Sequence, residues 1–155
     1  RTRGGRGWGE EGRRVGRTAR RDASEAAVLL VKLEGVAEEL DRREQMAALY
    51  TELLSEHFAT PVMPAGMRSA WALYTIRVQN RDRVRQRLSE AGVGTGLFYG
   101  VPLHHHPAFA QWVPDDLSLP VTERLSQEVL SLPMHGDIEE REVAFVVEKL
   151  REAVA

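Results

Sequence analysis

The sequence predicts an α/β fold, α+β in its smaller C-terminal part, in which a long leading helix is followed by a small three-stranded sheet packed with helices. Three observations carry this. From Asp22 onward apolar residues recur at three- and four-residue steps for about 35 residues. Three short runs of strand composition then appear at 71–78, 93–99 and 130–134, with segments of helical character between and after them. An amphipathic stretch closes the chain. Strands alternating with helices imply layers, with helices covering the sheet.

The leading helix sets Ala26, Leu29, Leu30, Leu33, Val36 and Leu40, then Ala47, Tyr50, Leu53 and Leu54, on one stripe. Asp22 and Ser24 are good N-cap types, and Glu25 suits the first turn. About 35 residues at ~1.5 Å each span about 50 Å, so this helix is expected to connect two bodies rather than lie within one. Gly35 is where it can kink or split. Two prolines and a glycine in TPVMPAGM, residues 60–67, end it. WALYTIRV (71–78) then reads as a strand, and residues 80–92 as a helix with Asn80 as cap and Gly92 as stop. VGTGLFY (93–99) reads as the second strand. A histidine-bearing loop follows, then a helix over 121–129 and a short third strand over 130–134. The closing helix, 138–154, carries Val143, Val146, Val147 and Leu150 on one face. The expected organisation is an Arg/Gly-rich segment at 1–21, a connecting helix at 22–58 and a small α/β domain at 59–155.

The chain has 155 residues, a net charge of −2 and no cysteine, which excludes disulfides and thiolate metal sites. Its longest apolar run, AAVLLV, is far short of a membrane span, and a cytoplasmic location is expected. The balanced charge conceals an asymmetry. Residues 1–21 hold eight arginines against two glutamates, whereas residues 22–155 hold 13 Lys+Arg against 21 Asp+Glu. One reading of the basic arm is a segment binding nucleic-acid phosphates, although a single RGG triplet without interleaved aromatics is a weak signal. The other is a loop facing a cofactor. The polar start, without methionine, suggests the C-terminal part of a longer protein.

Chemistry-bearing motifs are sparse. GGRGWGEEG follows no strand and matches a phosphate loop poorly. The pairs Asp115–Asp116 and Glu139–Glu140 read as solvated surface. Only two lysines are present, Lys32 on the long helix and Lys149 on the last one. Neither has the expected setting of the desolvated, pocketed amine that Schiff-base chemistry requires. The remaining question is YGVPLHHHPAF, residues 99–109, which holds three of the five histidines. A zinc site needs ligands converging at ~2.0–2.1 Å. His104 and His106 could share a side if the segment were extended, but a third ligand would have to come from His57 or His135. We therefore expect no metal site.

In order and spacing, GRTARRDASEAAVLLVKLEGV, REQMAALYTELL, ALYTIRVQNRDRVRQRLSEAGVGTGLFYGVPLHHHPAF and LPVTERLSQEVLSLPMHGDIEEREVAFVVEKLREA resemble the C-terminal part of the DegT/StrS-type sugar aminotransferases. The resemblance covers about residues 16–155. It implies the small domain and connecting helix of a fold-type I pyridoxal-phosphate enzyme, homodimeric when complete. It also implies transfer of an amino group from glutamate or glutamine to a keto carbon of a nucleotide-linked sugar, with dehydration as the chemistry of a few relatives. The family's cofactor lysine stands before the long helix, so this chain by itself is expected to be inactive. Family members carry G-x-N-x-R before that helix, a stretch reaching the partner subunit's active site with its asparagine near the cofactor phosphate. Here Gly16 and Arg20 match and Thr18 replaces the asparagine, making Thr18 and Arg20 the cofactor-binding candidates. His104 matches the histidine of the family's P-L-H motif, His106 replaces a glutamine, and His135 matches the histidine of LPMH. Together with Tyr99 these are candidates for the substrate rim. The alternative is a non-catalytic binding module with an Arg/Gly-rich nucleic-acid-binding arm.

Overall fold

A computed structural model describes residues 23–155 of the chain, with side chains described from residue 26. Helix α1 (Ala23–Glu34) and helix α2 (Val36–Leu54) follow one another, then strand β1 (Tyr74–Arg77), helix α3 (Arg81–Glu90), helix α4 (Pro120–Glu128), strand β2 (Val129–Leu132) and helix α5 (Glu140–Val154). Two 3₁₀ turns, Leu103–His105 and Pro107–Trp112, lie in the long loop between α3 and α4.

The long helix divides at Gly35, as its sequence allows. Gly35 leaves helical geometry at φ −98° and ψ 1°, yet its N–H still reaches Lys32 O and its carbonyl accepts from Glu39 N, so the break is a single residue. Beyond it the apolar stripe turns into the core, where Met46, Ala47, Tyr50 and Leu54 are buried. α2 and α3 both pack on α5, whose inward face is Val143, Val146, Val147 and Leu150. The expected face of α5 is therefore the buried one.

β1 and β2 pair antiparallel, Tyr74 opposite Leu132 through Arg77 opposite Val129. Alternation puts Tyr74 and Ile76 on one side, with Leu130 and Leu132 of β2 also buried. Thr75 and Ser131 meet on the other side, hydroxyl to hydroxyl at 2.7 Å.

The sheet is narrower than the three strands expected. Residues 93–99 contribute a single bridge, in which Gly96 and Ser131 exchange both backbone hydrogen bonds at 2.9 Å. Three glycines at 92, 94 and 96 explain this, since glycine weakens a strand and supplies no side chain to pack. At Gly96 the Phe98 ring also occupies the space a Cβ would need.

Helix boundaries follow local chemistry. Gly92, at φ +80°, ends α3 in a Schellman motif: its N–H bonds Ser89 O, and Val93 N–H bonds Leu88 O. Asn80 does sit at the N-cap of α3, but in left-handed geometry and with no side-chain capping bond. α5 starts with a reciprocal capping box between Glu139 and Glu142, a pairing of two acidic residues not foreseen from the sequence.

Candidate functional site

The histidine loop is tied down where it begins. Upstream, the Gly96 bridge fixes it to β2. Pro102, buried and extended at φ −60° and ψ 147°, turns it into the 3₁₀ turn Leu103–His105. A buried arginine lies alongside. Arg81 Nη1 donates to Ser126 O at 2.9 Å and to Val129 O at 3.3 Å, joining the start of α3 to the α4–β2 junction, and its Nε donates to Asp82. A Cβ at Gly100 would stand 3.9 Å from that Nη1, so the loop runs directly past the guanidinium. Nothing in NRDRVRQR marks Arg81 off from a solvated charge, because its partners lie 45 and 48 residues away.

The loop's side chains occupy distinct environments. Tyr99 is 72% exposed, with its ring met edge-on by Phe98. His106 donates from Nε2 to Val101 O at 3.2 Å, which fixes the proton on Nε2 because a carbonyl only accepts. His104 is nearly enclosed, its side chain 7% exposed, and its Nε2 lies 3.1 Å from Glu123 Oε1 on α4. Leu119 N–H donates to the same oxygen at 2.8 Å. That backbone donor first, and His104 second, hold the Glu123 carboxyl below its ordinary pKa. His105, half exposed, brings its own Nε2 to 3.9 Å from Glu123 Oε1. The structure thus unites His104 with His105 and Glu123 rather than with His106. The pairing expected for an extended segment fails because the segment is a 3₁₀ turn, and Glu123 lies too far along the chain for any spacing rule to find.

His135 belongs to a different place, the exposed turn after β2. This turn is fastened to α2. Tyr50 OH donates to Pro133 O at 3.0 Å and Arg42 Nε to Gly136 O at 2.9 Å. Gly136 packs so closely on Glu39 that no Cβ would fit without moving it.

Neither lysine suits covalent attachment of a cofactor. Lys149 is ion-paired with Glu148 and Glu152, chiefly Glu152, and these raise its pKa, the reverse of the activation a nucleophilic amine needs. Lys32 is exposed on α1. Thr18 and Arg20, the cofactor-binding candidates, lie outside the described residues.

Comparison with known proteins settles the family, because the profile of the DegT/DnrJ/EryC1/StrS aminotransferase family matches residues 1–151. The chain belongs to that family. Enzymes of this aminotransferase family depend on pyridoxal phosphate. Over 123 residues the chain is 40% identical to the UDP-2-acetamido-2-deoxy-3-oxo-D-glucuronate aminotransferase of Pseudomonas aeruginosa, covering 79% of this chain and 33% of that protein. Over 139 residues it is 34% identical to the dTDP-3-amino-3,4,6-trideoxy-alpha-D-glucose transaminase of Streptomyces venezuelae, covering 88% and 37%. The crystal structure of a DegT DnrJ EryC1 StrS aminotransferase from Brucella abortus superposes with a TM-score of 0.78 at 36% identity, covering 84% of this chain and 35% of that one. The chain thus spans little more than a third of the length of the relatives it matches. The match begins at residue 1, earlier than the motifs recognisable by eye, and takes the arginine-rich segment into the family.

Proposed function

We propose that the protein carrying this chain is a pyridoxal-phosphate-dependent aminotransferase that moves an amino group from glutamate or glutamine to a keto carbon of a nucleotide-linked sugar. The observation that supports this most is the family match over residues 1–151, joined to two relatives whose names specify amination of a UDP-linked and a dTDP-linked sugar. In this reading the chain supplies the connecting helix, the small domain and one loop of the active site. The covalent cofactor lysine comes from elsewhere in the protein, since Lys32 and Lys149 are unsuited to it.

Residues of this chain would act by positioning. Arg20 brings a fixed planar cation toward phosphate or substrate, a role for which lysine is a poor geometric replacement. Thr18 offers one hydroxyl donor where an asparagine would offer an amide with two. The protein works as a homodimer in this proposal, with the Thr18–Arg20 segment reaching across to the other subunit's site. Tyr99 and His135, both exposed, are the rim residues best placed to meet a large substrate. His104 and His106 make bonds within the loop and shape it. A nucleic-acid-binding arm is the weaker reading, because the family match includes the arm itself.

The test uses the intact protein, supplied with pyridoxal phosphate, glutamate and a panel of UDP- and dTDP-linked keto sugars. The expected result is 2-oxoglutarate formation that requires both sugar and cofactor. Arg20→Ala lowers turnover, and Thr18→Asn tightens cofactor retention by at most one charged hydrogen bond, about 1.5–3 kcal/mol. A cofactor-loaded protein that aminates no sugar of the panel, with glutamate or with glutamine supplied in its place, overturns the proposal.

A further inference from the structure

The geometry points to a binding site for a divalent first-row transition cation, zinc by preference, formed by His104, His105 and Glu123 where the histidine loop meets α4. One potential ligand atom from each residue lies within 4.8 Å of the others. In a tetrahedral zinc site with bonds of ~2.0–2.1 Å, ligand atoms stand about 3.3 Å apart. Here the Nε2 atoms of His104 and His105 lie 3.1 and 3.9 Å from Glu123 Oε1, each within about 1 Å of that spacing from the carboxylate, and a swing of His105 closes the gap that remains between the two histidines.

Two of the three groups are already fixed. His104 is enclosed by its surroundings, and Glu123 is held by Leu119 N–H. His105, half exposed at the rim, is the group able to swing onto an arriving ion. Its imidazole packs against that of His104, with ring centroids 4.2 Å apart, which keeps the two donors on one side of the turn. The donor set selects the ion class. Two imidazoles and one carboxylate suit zinc, cobalt, nickel or copper, whereas magnesium and calcium favour oxygen ligands. A water completes the fourth position through the exposed edge at His105.

Binding changes the proton arrangement of the loop. His104 now directs Nε2 at the Glu123 carboxylate; with an ion present, Nε2 offers its lone pair and the ring proton moves to Nδ1, while Glu123 Oε1 becomes a ligand. The ion thus replaces the direct hydrogen bond with two metal bonds, and it recruits His105 as well. The consequence is a staple between the 3₁₀ turn and α4 that immobilises the loop carrying Tyr99. It does not depend on the aminotransferase proposal.

Zinc titration of the intact protein tests this, with bound metal counted after gel filtration and affinity measured by calorimetry. His105→Gln is the informative variant because the residue is exposed and its loss leaves the fold intact. The expected outcome is that His105→Gln loses one equivalent of zinc or binds it at least about tenfold more weakly, an effect of the size that removing ligand support produces. Glu123→Gln does the same, and His57→Gln, far along the chain, matches the wild type. With cobalt, the wild type and His57→Gln gain the visible absorption of four-coordinate metal, and His105→Gln and Glu123→Gln do not. The proposal is overturned if the wild type and His105→Gln bind zinc with equal stoichiometry and affinity, or if His57→Gln weakens binding as much as His105→Gln does.

Discussion

Replacing Arg81 probes what holds the small domain together beneath the histidine loop. The side chain is 8% exposed, and its Nη1 serves two carbonyls, Ser126 O at the end of α4 and Val129 O at the start of β2. Arg81→Met keeps much of the aliphatic stem and removes every donor. A hydrogen bond from a charged group contributes ~1.5–3 kcal/mol. The Asp82 pair adds little, since that carboxylate is 79% exposed and solvent screens it. Of the two carbonyl bonds, the one to Val129 is long at 3.3 Å, so the expected loss is about 2–4 kcal/mol. With a urea m value of about 2 kcal/mol/M, the unfolding midpoint falls by about 1–2 M. Arg81→Lys recovers only part of this, because a compact ammonium lacks the planar fork that spans two acceptors. The opposing effect is the desolvation of a buried guanidinium, which an apolar replacement relieves. A loss below about 0.5 kcal/mol for Arg81→Met would mean that desolvation cancels the bonds, and would refute a net stabilising role for this arginine.

Gly136→Ala forces a Cβ into the side chain of Glu39, so overpacking should cost about 1–3 kcal/mol in thermal unfolding, and adding Glu39→Ala should restore most of it. Equal stability of the single variant and the parent would show that the turn yields freely. At alkaline pH the buried phenols dominate. Burial raises the pKa of Tyr50, and that of Tyr74 likewise, while both titrate near 10 in an unfolded chain. Raised folded-state values mean that their contribution is complete below about pH 10 and is lost as pH climbs toward the folded values. Denaturant midpoints measured from pH 8 to 11.5 should therefore fall at the upper end, less steeply in Tyr50→Phe; identical slopes would contradict the assignment.

What the sequence made legible was whatever repeats. The three-to-four-residue spacing of Val143, Val146, Val147 and Leu150 marks the buried face of α5, and the strand composition of WALYTIRV marks β1. Glycines at 35 and 92 marked a helix break and a helix stop, because each acts on its own backbone. The contacts that build the candidate site have no such local signature. Arg81 meets Ser126 across 45 residues and Tyr50 meets Pro133 across 83, and both bonds depend on how helices dock. Residues 93–99 fall short of a strand for a local reason, because the glycines at 94 and 96 outweigh the apolar residues around them. The histidine loop forms 3₁₀ turns beside its prolines, so His104 meets Glu123 and not His106, a geometry no spacing rule carries.

The apolar stripe of the leading helix obeys the same distinction between local pattern and distant cover, because its period continues unchanged through Gly35 while its burial does not. Leu29, Leu30 and Leu33 are 60–67% exposed, whereas Tyr50 and Leu54, on the same periodicity, are fully enclosed. Intrinsic propensity does not explain the difference, for leucine is a strong helix former in both halves. What differs is the cover: α2 lies against α5 and, through Tyr50 and Thr51, against Tyr74 of β1, whereas Leu29, Leu30 and Leu33 of α1 stay exposed. A hydrophobic period records the whole set of surfaces against which a helix folds, and a patch of exposed leucine and valine beyond a few hundred Å² normally has a partner. The chain spans about 33–38% of the length of these curated relatives. An uncovered half-helix beside a well-packed half-helix is what the proposed connecting element would show.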